Sequence, residues 1–217
     1  MDIAEGRFIA FADSDDMPEP TWLEELQKPF KDGKRGLSIC GYTVVDGKGR
    51  KLYGTEYREE PRRSAMLTPQ KMLEDLFSNR LYYQGYVWNK MFERSILETE
   101  PVLRFDESIY YNEDRLFVFH YLLRCPAIYY SGISHYKYRA SRERERYYCQ
   151  YLTEMKAFEI MLKEVKSRKW ERVGFYLQKD MLRAATELYE LIGEADNQQD
   201  RKYLEKSIME RKGDDIL

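Results

Sequence analysis

Arg7 to Asp16, RFIAFADSDD, is an apolar run that stops on a cluster of carboxylates. Phe8, Ile9, Ala10, Phe11 and Ala12 read as a strand buried on both faces, the kind found in the middle of a mostly parallel sheet. Asp13, Asp15 and Asp16 then fall at its C-terminal end. Strand ends and their loops form the ligand crevice of an open α/β sheet there. Carboxylates packed this closely repel one another and raise each other's pKa unless a cation or a donor-rich ligand answers them. Hard oxygen ligands suit magnesium and manganese. The same Asp-Ser-Asp-Asp ahead of Pro18 also suits loop and helix-cap chemistry, and spacing alone leaves both readings open.

Around this stretch, 217 residues are enough for one good core with a small appended domain. Thirty-six basic against 38 acidic side chains give a net charge of -2, so nothing pulls the chain as a whole toward nucleic acid or an anionic membrane. Any anion must be met locally. Cys40, Cys125 and Cys149 are odd in number and widely spaced, which fits reduced thiols in a cytoplasmic protein. No apolar run has the length to span a bilayer and no signal peptide is evident; a peripheral contact at the inner face of the membrane stays open.

Going outward, Met1 to Gly6 reads as a helix tail stopped by Gly6. Pro18 and Pro20 lead into a helix with Trp22, Leu23, Leu26 and Phe30 at helical spacing. Leu37 to Val45 is a strand, Asp46-Gly47 a hairpin turn and Lys51 to Tyr57 the return strand, followed by a loop from Arg58 to Ser64. Thr68 caps a helix that opens on Pro69 and buries Met72, Leu73, Leu76 and Phe77. Tyr82 to Phe92 follows, with Gly85 in its middle.

The next stretch of interest is FDESIYYNEDRLFVFHYLLRCP. Asn112 is an expected N-cap, Glu113 and Asp114 fall in the first turn, and Leu116, Phe117, Phe119, Tyr121, Leu122 and Leu123 bury nearly the whole helix until Pro126. Such a helix holds its N-terminus rigidly, so first-turn carboxylates are well placed for chemistry, although capping alone also accounts for them. Ala127 to Arg139 is a last strand ending in a basic and aromatic cluster. From Ser141 the chain is helical: Leu152, Met155, Phe158, Leu162 and Val165 line one helix. Phe175, Met181, Leu182, Ala185, Leu188, Tyr189 and Ile192 line another, which stops at Gly193. The charged tail from Glu194 is either a fraying helix or an oligomer contact. His120 reads as a core histidine, and His135 lies within reach of a metal at the acidic cluster. In the run RASRERER the interleaved Glu143 and Glu145 suggest a solvated helix start, leaving Arg139 as its distinctive cation.

Four segments in order, GRFIAFADSDD, GYVWNKMFERSIL, FDESIYYNEDRLF and SHYKYRASRER, resemble the family 2 glycosyltransferases, the bacterial type that builds polysaccharides from nucleotide sugars. The resemblance runs from about Ala4 to Arg142. It implies an α/β fold, the GT-A (Rossmann-like) mixed sheet with flanking helices, over residues 1–142, with a C-terminal helical region over 143–217. Asp13 and Asp15 become the DXD pair, Asp15 as a direct ligand of Mn²⁺ or Mg²⁺ and Asp13 near the nucleotide ribose as well. Asp114 becomes the general base, with Glu113 beside it. Trp88, Asn89 and Lys90 line the acceptor side, and Tyr138 and Arg139 reach the diphosphate. The partners implied are a nucleotide-sugar donor and a saccharide acceptor, with no nucleic acid, and the reaction is an inverting transfer.

Such enzymes place a nucleotide-binding half first, with an early Pro-x-Tyr-Asn strand and a later Asp-Asp-Gly-Ser turn, and this chain begins after both. The resemblance therefore implies a truncated GT-A domain, its metal side and acceptor side, with little or no transferase activity by itself. It also leaves the strand at Arg7 to Ala12 with an exposed edge that a second copy would cover. The alternative is a non-catalytic interaction module that keeps the fold. A haloacid dehalogenase-type phosphatase also runs an apolar strand into Asp-x-Asp, but here Asp16 is followed by Met17 and Pro18 and the further acidic and lysine motifs are not evident.

Overall fold

The computed structural model describes residues 1–31, 33–54, 64–78, 85–140, 148–192 and 197–213. Its sheet is built on β3 (Leu37–Val45), whose nine residues are all buried. A strand of that kind needs neighbours on both edges and cover on both faces. β7 (Ile128–Arg139) runs parallel along one edge, from Leu37↔Ile128 to Val45↔Arg139. The other edge is shared by two antiparallel partners, β6 (Lys90–Glu93) against Leu37–Ile39 and β4 (Lys51–Gly54) against Thr43–Val45. β7 is shared in the same way, by β5 (Ala65–Leu67) against Ile128–Tyr130 and by the short β2 (Met17–Pro18) against Tyr136–Lys137. β1 (Phe8–Ala10) completes the order β1-β6-β3-β7-β2 by pairing antiparallel with β6.

This corrects the reading of Phe8–Ala12 as a central parallel strand. Among the described residues β1 pairs with β6 alone, and Ile9 is its one buried residue. Phe11 leaves the ladder to pack edge-on against Phe92, Phe105 and Phe117, so its hydrophobicity serves an aromatic cluster rather than a second sheet face. The central parallel pairing belongs instead to β3 and β7. Met1 to Gly6 is likewise a turn, with the Ala4 N–H donating to Met1 O at 3.0 Å, and not a helix tail. Ile3 is 95% exposed, and a helical turn with no buried face has nothing to offset its nucleation cost.

The helices of this part follow their periodicity. α1 (Trp22–Gln27) and the 3-10 turn Lys28–Phe30 bury Trp22, Leu26 and Phe30, four residues apart, while Leu23 faces solvent. α2 (Pro69–Phe77) is capped by Thr68, whose Oγ1 accepts from the Lys71 N–H at 3.2 Å. α3 (Arg94–Leu97) follows β6 directly. α4 (Glu113–Leu122) buries Leu116 to Phe119, Tyr121 and Leu122. Its Tyr121 hydroxyl donates to Gly36 O at 2.8 Å and accepts from the Glu93 N–H at 2.9 Å, fixing the helix to two strand ends. The return strand is described over Lys51–Gly54; its continuation to Tyr57, most of the Arg58–Ser64 loop, Tyr82–Gln84, the run from Ser141 and Gly193 lie outside the described residues.

The chain divides into two compact units, Met1–Leu76 with Arg80–Phe105 and Asp114–Arg144, and Phe77–Asn79 with Asp106–Glu113 and Glu145–Leu217. The second contains α5 (Tyr148–Ser167), α6 (Glu171–Leu191) and α7 (Gln198–Gly213). Met155, Phe158, Leu162 and Val165 are buried on α5 as their spacing predicts. On α6 the buried face runs Val173, Leu177, Met181, Ala184, Ala185 and Leu188, and Phe175 stands 47% exposed. At 100° per residue Phe175 is turned some 200° from Val173, so it cannot share that face. Within the tail, Gln198–Gly213 form helix α7, with Leu204 buried. Among the described residues no helix is long and apolar enough to cross a membrane.

Candidate active site

Register brings the four segments of interest together. β1 and β6 are antiparallel with Ala10 opposite Met91, so the acidic loop leaves β1 where Trp88, Asn89 and Lys90 enter β6. β6 pairs with β3 through Ile39↔Lys90, and β3 carries β7 beside it with Tyr42↔Tyr136 and Val44↔Tyr138. Phe11, two residues before Asp13, packs 6.0 Å from Phe117, which lies one helical turn after Asp114. The acidic loop, the WNK block, the end of β7 and the start of α4 are thereby parts of one region.

Asp13 and Asp15 are exposed on the loop between β1 and β2, and Asp16 is half-buried. The Asp13 N–H donates to the Tyr136 hydroxyl at 3.2 Å, and Asp16 Oδ1 accepts from the Arg139 N–H at 2.8 Å. Burial pushes the Asp16 carboxyl above its usual pKa, against the Arg139 N–H and the Tyr136 hydroxyl, which pull it down; the charges of Asp13 and Asp15 add to the rise. Asp16 Oδ2 and Arg139 Nε are buried without a hydrogen-bond partner among the described residues. The sequence places Asp16 in the acidic cluster without setting it apart from Asp13 and Asp15, and singles out no role for Tyr136. Period-two spacing with Tyr138 was the available signal, since it sets both rings on one face of β7.

Trp88 is 3% exposed and sits in an aromatic stack, 4.6 Å from Tyr136, 5.5 Å from Tyr138 and 5.0 Å from Tyr86, all within 18° of parallel. Tyr42 meets it edge-on at 5.0 Å. Asn89 is fully buried and ties β6 to β3, its Nδ2 donating to Cys40 O at 3.0 Å while Asn89 O accepts from the Cys40 N–H at 3.0 Å. Lys90 is fully buried too, donating from Nζ to Asn89 Oδ1 at 2.7 Å and Tyr86 O at 2.5 Å. Burial lowers its pKa to about 7, opposed by the negative charge of Asp114 and by Cys40. Lys90 thus stands in the field of the candidate base.

Asp114 Oδ1 accepts from the Arg115 N–H at 2.7 Å, and Glu113 opens α4 beside it. Gly85 lets the WNK segment approach this turn: a Cβ there would lie 2.7 Å from Arg115 Cγ and 3.0 Å from Arg115 Cα. Asn112 has φ 62°, and its side-chain amide donates to Glu154. His135 faces α1, with Nδ1 3.4 Å from Thr21 Oγ1 and Nε2 3.6 Å from Glu25 Oε2. His120 is half-buried at the far end of α4.

Among the described residues no group of three or more His, Cys, Asp or Glu forms a ready metal cage. Mg²⁺ and Mn²⁺ do not require one, since they are held by one or two carboxylates together with substrate phosphates. Two exposed loop carboxylates suit that mode, and the unpartnered Asp16 oxygen behind them adds negative potential.

Residues 1–98 match the family model described as glycosyl transferase family 2. That stretch is similar to the family. Over 154 residues the chain is 27% identical to EpsH of Bacillus subtilis (strain 168), named as a glycosyltransferase; the match covers 68% of this chain and 42% of EpsH. The fold is that of S. aureus TarS residues 1–349, solved with UDP at TM-score 0.60 and 14% identity, over 96% of this chain and 65% of that one. A second structure of the same TarS segment gives TM-score 0.58 at 13% identity, over 97% of this chain and 65% of that one. The mixed sheet with flanking helices is therefore the GT-A fold of that TarS segment, and the chain spans about two fifths of the curated relative's length.

Proposed function

We propose that this chain carries the metal side and acceptor side of an inverting glycosyltransferase, which moves a sugar from a nucleotide-sugar donor to a saccharide acceptor in polysaccharide synthesis. What supports the reading is one arrangement: an acidic loop fastened to the end of β7, with a first-turn aspartate on the buried helix α4 joined to it through Phe11 and Phe117. Asp13 and Asp15 would hold Mn²⁺ or Mg²⁺ beside the donor diphosphate. When bound, that ion stabilises the negative charge that develops on the leaving nucleoside diphosphate.

The residues of the chain divide the remaining work. Asp114 takes the proton from the acceptor hydroxyl as it attacks, and Glu113 is the next carboxylate in line for that role. One base within hydrogen-bond reach suffices for single-displacement inversion. Tyr138 and Arg139 lie at the end of β7 beside the acidic loop, where a cation and a ring meet the diphosphate. Trp88, Asn89 and Lys90 shape the acceptor side from beneath, as a buried floor of stacked rings and hydrogen bonds.

The test is calorimetric titration of UDP into the purified chain with Mn²⁺ present, repeated with Asp15→Ala. Binding that needs both Mn²⁺ and Asp15 is the expected result. Equal binding by the variant would refute the metal assignment.

A further inference from the structure

We infer that Tyr136 and Asp16 form a latch on the acidic loop, positioning Asp13 and Asp15 for the cation by tying them to the aromatic stack under the WNK block. The inference rests on the proposed metal role of Asp13 and Asp15. Between Ala10, where β1 ends, and Met17, where β2 begins, the loop has no ladder of its own. It is fastened at both ends of the acidic segment by β7. The Asp13 N–H donates to Tyr136 Oη, and Asp16 Oδ1 receives the Arg139 N–H; inside the loop the Asp16 N–H donates to Asp13 O at 3.2 Å.

Tyr136 has little freedom to move that hydroxyl. The ring is 0% exposed, stacked on Trp88 at 4.6 Å and edge-on to Trp22 at 5.4 Å. The neighbouring ladder holds its backbone through Pro18↔Tyr136 and Tyr42↔Tyr136. A phenylalanine would fill the same stack without desolvating a hydroxyl, so the hydroxyl is there for the loop it contacts. Asp16 completes the device by a different means. Its carboxylate is held beside two others, and each added negative charge raises the attraction for a divalent ion at the exposed pair. Tyr136 thus joins the cation side to the acceptor side through one ring.

The experiment compares the full chain with Tyr136→Phe, Asp16→Asn and Tyr121→Phe. The Mn²⁺ concentration needed for UDP binding is read from the electron paramagnetic resonance of free Mn²⁺, and urea midpoints are measured without metal. Tyr121→Phe removes a buried hydroxyl with two partners elsewhere, so it lowers the urea midpoint and leaves the Mn²⁺ requirement alone. Tyr136→Phe is expected to raise the Mn²⁺ requirement about three- to tenfold, the worth of one hydrogen bond. Asp16→Asn keeps an oxygen for the Arg139 N–H, removes one charge, and raises it as well. If wild type binds and both loop variants match it, the latch is refuted while the metal reading stands. If wild type fails to bind Mn²⁺ and UDP together, the metal reading falls and the latch with it.

Discussion

Lys90 makes a prediction whose sign and size follow from where it is buried. Its pKa is about 7 in the folded chain against 10.5 for an unperturbed lysine, so between those values the unfolded chain binds the extra proton. Stability rises with pH wherever the unfolded state holds more protons. Lys90 alone should add about 2.3 kcal/mol between pH 7 and pH 9. Two buried thiols oppose it: burial pushes Cys40 and Cys125 from 9.0 up to about 12, so each folded thiol keeps a proton that the unfolded one loses. Together they take back about 0.8 kcal/mol by pH 9, and above it they overtake Lys90. Burial also raises Tyr121 and Tyr136, which steepens that decline. The expected curve climbs about 1.5 kcal/mol from pH 7, peaks near pH 9 and falls beyond. Urea unfolding under reducing conditions at half-unit pH steps measures it. Lys90→Met keeps the apolar stem but leaves Tyr86 O and Asn89 Oδ1 without their donor, a cost that does not vary with pH. Its curve should therefore lack the rise and decline from pH 7 onward. A wild-type curve that is flat or falling between pH 7 and 9, or a rise that survives Lys90→Met, would refute the reasoning.

Two further outcomes concern the start of α4. Asp114→Asn removes the largest charge that opposes the depression of Lys90, so the climb in stability should begin at lower pH. Gly85→Ala should cost about 1–3 kcal/mol in urea unfolding, because its methyl lands on the side chain and backbone of Arg115. An unchanged midpoint would mean that the two segments do not pack as described.

Much of this molecule is legible locally. The run LSICGYTVV, the long aromatic strand ending at Arg139 and the apolar helix after Asn112 announce themselves by composition and period, and the structure has them at Leu37–Val45, Ile128–Arg139 and Glu113–Leu122. Thr68 ahead of Pro69 marks a helix start that the Lys71 hydrogen bond realises. The order of the four motifs carries the family resemblance without any contact being known, and residues 1–98 match that family's model.

Pairing is where local reading stops. FIAFA is apolar enough for a central strand, yet Ile9 alone is buried in β1, because Phe11 turns away to an aromatic cluster whose other rings come from β6, α4 and Phe105. Nothing in the order Trp88, Asn89, Lys90 says that all three are buried; that follows from Tyr136 and Tyr138 arriving opposite them on a strand some 50 residues later. The same long-range register puts the Tyr136 hydroxyl under Asp13 and the Arg139 N–H on Asp16. Composition and period act within a turn or a strand and are written in neighbouring residues. Register, burial and the field around a buried charge depend on which distant segments share an edge, and only the folded chain brings those together.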